Sequence, residues 1–113
     1  MTEFEALAVS IAIEAPMAYV LVRFANWPCR GPLHVSAAAA LATAATHPQL
    51  WAAALALYPR LGHWPTLLVT ETLVVVAEAV VIAWAGSLTI RRALAVSLVA
   101  NGASLAFGLW FNG

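Results

Sequence analysis

The sequence predicts an all-α integral membrane protein, a four-helix bundle whose helices run antiparallel in up-and-down order. Of its 113 residues, 64% are hydrophobic and only 9% are charged, whereas about a quarter of the residues of a soluble domain carry charge. Breaks in hydrophobicity divide the chain into four apolar stretches of about 20 residues or more, the length that crosses a bilayer. We therefore expect a single transmembrane domain over residues 1–113. The composition argues against nucleic-acid binding and against a soluble catalytic domain.

Capping residues and prolines mark the first two spans. The four spans are predicted at residues 6–25, 33–58, 65–85 and 93–111. Thr2 and Glu5 form a T-x-x-E capping box ahead of the first span, in which each side chain can bond the backbone of the other residue. Pro32 precedes the second span and Pro59 follows it, positions that favour a helix start and a helix stop.

The third and fourth spans are bounded by a proline, a glycine and a short polar turn. Pro65 lies in a first helical turn, where proline is accepted, and Gly86 follows the last residue of the third span. Residues 87–89 supply hydroxyl groups that can cap the fourth helix. Because the connections are short, we expect sequential helices to pack as antiparallel neighbours.

The second span carries the most specific local signal, the sequence Thr46-His47-Pro48-Gln49. Proline has no backbone N–H and its ring clashes with the carbonyl four residues earlier, so we expect this helix to be kinked or broken at His47-Pro48. Thr46 and Gln49 would also form a capping box for a helix that begins in mid-membrane. In a broken helix, free N–H groups would point into the bundle and favour an anionic group. An ordinary proline kink is the alternative.

The arginines predict how the spans are oriented. Arg23, Arg30, Arg91 and Arg92 lie in or beside the first and third connections, whereas the second connection holds Arg60 alone. Because positively charged loops stay in the cytoplasm, we expect the first and third connections there and both termini outside. Four of the five tryptophans fall near the predicted membrane interfaces, where their rings are favoured.

Five polar side chains fall near the centres of the predicted spans: Glu14, His47, Glu71, Glu78 and Asn101. A charged residue at the centre of a span costs about 2.5–3.5 kcal/mol, so such residues face the bundle interior. Every predicted span contributes a polar residue near the same depth. The two glutamates of the third span share one face because they are seven residues apart. The sequence therefore predicts a buried polar network, or an ion or proton site, near the membrane midplane.

Small and polar residues form a stripe along the fourth span. Ser97, Asn101, Ser104 and Gly108 follow one another at helical spacing. Small residues let helices approach closely, and hydroxyl and amide groups hydrogen-bond across helices. We expect Ser97, Ser104 and Gly108 to be helix-packing residues, whereas Asn101 can either join helices or position a carboxylate.

Two distinctive strings occur in the second and fourth spans: THPxxW at residues 46–51 and SLxxNxxSxxxG at residues 97–108. Together with Glu71 and Glu78 between them, they resemble a group of small, uncharacterised four-span bacterial membrane proteins. The similarity runs from the second span to the end of the chain and leaves out the first span. The resemblance implies a four-helix bundle in the bacterial inner membrane, and it implies no particular activity.

Three functions are compatible with the polar residues. The first, favoured by the small size of the chain, is a non-enzymatic subunit or accessory protein of a larger membrane complex, in which the network orders the bundle. The second is a small oligomeric carrier that moves protons or cations with its intramembrane glutamates, since ionisable groups inside a membrane usually have a function. The third is a membrane protein that binds a cofactor through His47. We expect no enzyme, because no Ser or Cys has a base at a readable spacing.

The sequence requires no metal or cofactor and leaves their presence undetermined. Di-iron bundles use a Glu-x-x-His pair on each of two helices, and the sequence contains no such pair. The expected partners are the lipid bilayer and either other membrane subunits or further copies of the chain.

Overall fold

The computed structural model describes residues 2–112, whose backbone forms four helices: α1 (Glu3–Ala25), α2 (Pro32–Leu61), α3 (His63–Gly86) and α4 (Ile90–Asn112). Each helix packs against the next one, and α4 packs against α1. The bundle is 43 Å long, close to the length of its helices at 1.5 Å per residue, so the short connections make neighbours antiparallel. These residues contain no strand. The predicted all-α bundle is confirmed.

Helix starts follow the predicted capping signals. The amide of Glu5 donates to Oγ1 of Thr2 at 3.1 Å, as the capping box requires. Pro32 is the first residue of α2. The amide of Arg92 donates to Oγ1 of Thr89 at 3.4 Å, so the polar turn caps α4. The hydroxyl groups of Thr2 and Thr89 thus each accept from a backbone N–H that has no partner inside its own helix.

The helix α2 passes through Pro48 without a break. Of the two predicted alternatives, the break at Thr46, Pro48 and Gln49 is therefore wrong, whereas a kink at His47-Pro48 stays a prediction. The hydroxyl of Thr46 donates back to the carbonyl oxygen of Ala42 at 2.8 Å instead of capping a new helix, and Gln49 is exposed. Pro48 removes one backbone hydrogen bond and crowds the carbonyl four residues earlier, but it leaves the other bonds of the helix in place. The packing of α2 against α1 and α3 stabilises the helix on both sides of the missing hydrogen bond.

The predicted helix stop at Pro59 is also wrong. Pro59 lies inside α2, which continues to Leu61, because the loss of one N–H in a last turn leaves the neighbouring bonds intact. The helix ends at Gly62, whose φ of 80° is easily adopted by glycine alone. The Gly62 amide donates to the carbonyl oxygen of Tyr58 at 2.9 Å and closes the helix.

Three of the helices, α1, α3 and α4, are long and apolar enough to cross a membrane. The helix α2 has sufficient length at 30 residues. It is less apolar because alanine dominates its sequence and Thr43, Thr46, His47 and Gln49 interrupt it. Length and composition therefore support a membrane location for the bundle.

The apolar core fills the half of the bundle that holds the first and third connections. Its buried residues are Ala18, Val22, Val35, Ala38, Ala39, Ala79, Ile82, Leu88, Ala93 and Val96. Arg30 ties the two connections together: its amide donates to the Gly86 carbonyl oxygen, and its Nε donates to Oγ of Ser87, both at 2.9 Å. The guanidinium of Arg92 lies 5.5 Å from the ring centroid of Trp27, a cation–π distance. The interior of the bundle is closed at this end, and a separate surface pocket of about 300 Å³ lies beside the first connection.

Gly86 allows the adjoining ends of α2 and α3 to approach each other. A Cβ added at Gly86 would lie 2.9 Å from Cγ2 and 3.5 Å from Cα of Val35, which is fully buried. Valine is stiff about χ1 and cannot turn away. Gly102 in α4 differs, because an added Cβ there would meet nothing within 4 Å.

Gly86→Ala is expected to destabilise the bundle by about 1–3 kcal/mol, the usual range for an overpacked core. Gly102→Ala is the matched control, and we expect it to be neutral or stabilising by up to about 1 kcal/mol because alanine is the better helix former. Thermal unfolding in detergent, followed by circular dichroism, compares the two variants. A melting temperature for Gly86→Ala at or above that of the unmodified protein would contradict the close approach.

Candidate functional site

A cavity of about 530 Å³ lies between the four helices, in the half of the bundle opposite the apolar core. Its wall extends from the middle of the helices to the end that holds the second connection, where His63 and Leu109 line it. All four helices contribute side chains to the wall. The volume falls within the range of about 300–1,000 Å³ that is typical of small-molecule sites.

The five polar residues predicted from the sequence all line this cavity: Glu14, His47, Glu71, Glu78 and Asn101. Glu14 and Asn101 are the central residues of α1 and α4, and His47 lies beside the centre of α2. Glu71 and Glu78 lie on either side of the centre of α3, each about 5 Å from it at 1.5 Å per residue. The structure thus brings the five residues to one level of the bundle, while their role stays a prediction.

Thr43 joins the carboxyl groups of Glu14 and Glu78. Its Oγ1 lies 3.2 Å from Oε1 of Glu14 and 3.0 Å from Oε1 of Glu78. All three side chains are buried. One hydroxyl group therefore links α1, α2 and α3 at the inner end of the cavity.

This bridge limits the charge that the Glu14–Glu78 pair carries. A hydroxyl group has one proton to donate and two lone pairs, so Thr43 cannot donate to both carboxylates. Complete hydrogen bonding requires that one carboxyl group be protonated and donate to Thr43, which then donates to the other. Buried carboxyl pairs elsewhere avoid two adjacent negative charges by sharing one proton in the same way. At least one of the two carboxyl groups is accordingly protonated, and the pair carries at most one negative charge.

His47 and Trp51 continue the face of α2 that begins at Thr43. Their rings are tilted by 37° with centroids 5.8 Å apart. His47 is only 7% exposed, and its Nε2 has no hydrogen-bond partner among the described residues. Thr43 and Trp51 are not among the site residues that the sequence predicts. The steps of four residues from Thr43 to His47 to Trp51 were the available signal, because such residues share a helix face.

Hydrogen bonds along α4 connect it to its two neighbours. Nδ2 of Asn101 donates to the carbonyl oxygen and to Oγ of Ser97, at 2.9 and 3.2 Å. The Ser97 hydroxyl donates across to the carbonyl oxygen of Val75 in α3 at 2.8 Å. Ser104 bonds Ser10 of α1 at 3.2 Å. Ser97 and Ser104 thus each join α4 to another helix, as helix-packing residues do.

Gly108 and Glu71 occupy more open positions. Gly108 lines the cavity, and a Cβ added there would meet nothing within 4 Å; its role in helix packing stays a prediction. Glu71 is half-buried and lines both the cavity and a shallower groove of about 250 Å³ between α3 and α4. Of the three intramembrane carboxyl groups, that of Glu71 is therefore the least enclosed.

Among the described residues, the cavity has no ligand cluster for zinc or a similar transition metal. Within residues 2–112, no group of three or more His, Cys, Asp or Glu side chains is arranged to hold one. Metal sites in proteins commonly supply at least three side-chain ligands. Cys29 packs against the apolar core at the opposite end of the bundle and takes no part in the cavity. The chemistry of the site is that of a hydrogen-bonded carboxyl pair beside hydroxyl, amide and imidazole groups.

Comparison with known proteins assigns no family to this chain. A scan against protein-family models, a search of curated proteins and a search of solved structures each found no match. The resemblance to small four-span bacterial membrane proteins stays a prediction. A function has to be inferred from the chemistry of the cavity itself.

Thr43→Val removes the bridging hydroxyl and preserves the shape of the side chain. Two buried carboxyl groups then lose their common partner, so we expect a destabilisation of about 1–3 kcal/mol. Thr72→Val is the matched control, because the exposed Thr72 hydroxyl donates to the Leu68 carbonyl oxygen of its own helix. Its effect is expected to stay within about 0.5 kcal/mol. Unfolding in detergent measures both variants.

Thr43→Ser restores a hydroxyl group and is expected to recover most of the lost stability. A Thr43→Val protein as stable as the Thr72→Val protein would show that the bridge contributes nothing. The double variant of Thr43→Val with Glu78→Gln measures the coupling between the two side chains. We expect the second substitution to destabilise less in the absence of the hydroxyl than in its presence.

Proposed function

We propose that the protein is a small membrane carrier that exchanges a cation for a proton at the Glu14–Glu78 pair. The observation that carries this proposal is the cavity of about 530 Å³ that reaches the pair from one end of the bundle. A polar network that only ordered the bundle would need no accessible space beside it, whereas a ligand site does. Space beside a buried charge therefore supports a ligand site.

The one-sided access to the pair is the arrangement that a carrier needs. Alternating access opens a site near the midplane to one side of the membrane at a time. The opposite end of the bundle is packed with Val22, Val35 and Ile82, and these side chains would have to repack to open it. Pro16 and Pro48 lie inside α1 and α2 close to the site, and prolines are positions at which helices bend.

Competition between the cation and a proton supplies the coupling. Without a cation, both carboxyl groups of the pair are protonated, because a negative charge without a counter-ion would be expensive inside a membrane. A cation that binds displaces one proton and neutralises the negative charge that this leaves. Thr43, which can donate to either carboxyl group, allows the proton to reside on either side.

We also propose a location in a bacterial inner membrane, with four passes and both termini outside the cytoplasm. The helix α2 serves as the fourth pass because it packs between α1 and α3, and its polar side chains Thr43, Thr46 and His47 line the cavity. The arginines of the first and third connections lie at the closed end, which is then cytoplasmic. The cavity opens outward in this orientation.

The other two hypotheses stay predictions. An accessory subunit needs a buried network but no adjoining cavity, so the cavity favours the carrier. Cofactor binding by His47 is supported by the unpartnered Nε2 alone.

We further propose that the protein is not an enzyme: Ser10 and Ser104, which line the cavity, bond each other, and no base activates either hydroxyl in the described structure.

Glu14→Gln and Glu78→Gln are each expected to reduce cation-driven proton movement strongly, because each removes one of the two carboxyl groups that hold the exchanging proton and the cation. The assay uses proteoliposomes that enclose a pH-sensitive dye. Gradients of Na⁺, K⁺ and alkylammonium salts are imposed in turn, and the internal pH is followed. Glu3→Gln is the matched control, since Glu3 is exposed at the start of α1, and it is expected to retain the full rate.

Two outcomes would reject the carrier. One is an unmodified protein that responds to none of these gradients. The other is an undiminished response in both the Glu14→Gln and Glu78→Gln proteins. Size-exclusion chromatography and melting in detergent establish that each variant is folded, so that a lost response reports on the carboxyl group.

The proposed orientation predicts that the second and third connections lie on opposite sides of the membrane. In a Cys29→Ser background, Arg60→Cys is expected to react with an impermeant thiol reagent applied outside intact cells. Arg91→Cys, which is also an exposed position, is expected to react only after permeabilisation. Reaction of both positions from the same side would rule out the four-pass arrangement.

A further inference from the structure

The cavity combines a charged inner end with apolar and aromatic sides. Glu14 and Glu78 lie at the inner end, and Leu50, Trp51 and Leu67 are among the residues of the sides. We propose that the ligand is a monovalent organic ammonium ion with an apolar body. This proposal rests on the proposed carrier function and names its substrate class.

The charge at the inner end of the cavity selects a cation with a single charge. The Glu14–Glu78 pair bridged by Thr43 carries at most one negative charge, and a ligand with one positive charge neutralises it. Glu71 also lines the cavity, but it is half-buried, so water screens its carboxyl group. No arginine lines the cavity, and the chain contains no lysine. The basic groups on its wall are therefore His47 and His63. An anionic ligand would meet uncompensated carboxyl groups, which is unfavourable at low dielectric.

The size of the cavity and its donor set argue for an organic ion over a metal ion. A bare Na⁺ or Ca²⁺ ion needs about six or more oxygen ligands within about 2.6 Å, whereas the cavity has a volume of about 530 Å³. The described residues contain no cluster of three or more acidic, histidine or cysteine ligands. An organic cation fills such a volume with its body and needs polar contacts only at its charged group.

The aromatic and polar side chains suit the two parts of such an ion. A tryptophan face such as that of Trp51 attracts alkylammonium groups through cation–π interaction. The N–H groups of a protonated amine can donate to the carboxyl groups of Glu14 and Glu78. His47 lines the cavity and is nine-tenths buried, yet its Nε2 has no partner in the described structure. A buried nitrogen without a hydrogen-bond partner destabilises the fold, and a bound ligand can supply that partner.

Calorimetric titration of the purified protein in detergent tests the substrate class with a set of matched probes. The cation is 4-phenylbutylammonium, the neutral analogue is 4-phenylbutanol, and the anion is 4-phenylbutyrate. Methylammonium keeps the charge and lacks the apolar body. Titrations into empty micelles are subtracted. We expect 4-phenylbutylammonium to bind at least about tenfold more tightly than each of the other three, and to displace about one proton, measured in buffers of different ionisation enthalpy.

Variants locate the bound ion. Glu78→Gln is expected to weaken 4-phenylbutylammonium binding by about 10- to 100-fold, because a charge-assisted hydrogen bond is lost. Trp51→Leu is expected to weaken it by about 2- to 30-fold through the lost cation–π contact. Trp84→Leu is the matched control: Trp84 is 82% exposed on the outer surface of the bundle, and its removal is expected to leave the affinity unchanged.

The outcomes separate the substrate class from the carrier function. Equal binding of 4-phenylbutylammonium and 4-phenylbutanol, or equal affinities in the Trp51→Leu and Trp84→Leu proteins, would overturn the substrate class. Proton movement driven by Na⁺ or K⁺ but not by 4-phenylbutylammonium would also overturn it and leave the carrier standing. Tight binding that depends on Glu78, without any proton movement in proteoliposomes, would support the ligand class and reject transport.

Discussion

Two carboxyl groups that face one hydroxyl group in the bundle interior are the constraint on which the rest of the structure depends. A charged carboxylate in hydrocarbon is expensive, so Glu14 and Glu78 have to lie inside the bundle and share partners. Thr43 supplies that partner from a third helix. The need to bring α1, α2 and α3 to one point determines how the helices are rotated about their axes. Each helix then turns its polar residues toward the cavity, and much of the outward-facing surface is large apolar side chains.

The bundle divides into a packed half and an open half, and small residues account for the difference. In the packed half, alanines and Gly86 let the helices approach closely. Val35 lies so near Gly86 that a Cβ at that position would clash with it. Arg30 then joins two connections at that end. In the open half, larger side chains such as Trp51 and Leu105 line a cavity. Because one end of the bundle is packed and the other is open, the cavity is accessible from one side. The proposed exchange of ions across a membrane requires such one-sided access.

The helix α2 illustrates where local signals and tertiary packing disagree. Thr46, Pro48 and Gln49 have the residue types of a helix start, yet the helix is continuous there. The reason is that a proline costs one backbone bond, whereas α2 gains contacts with α1 and α3 along its length. Thr46 then bonds a carbonyl oxygen of the preceding turn. Thr43 is the residue of α2 that bridges Glu14 and Glu78. No motif around Thr43 indicates this role in the sequence.

The sequence by itself determined the fold class, the approximate spans, most of the helix caps and the shared depth of Glu14, His47, Glu71, Glu78 and Asn101. These properties depend on composition, on local backbone bonding and on counting along a helix, and each of them is contained in neighbouring residues. The tertiary structure alone decided which polar groups touch, that Thr43 bridges Glu14 and Glu78, and that the space beside them stays open. Those features depend on how each helix is rotated against its neighbours. Rotation is decided by side-chain packing among residues far apart in sequence, which no local pattern records.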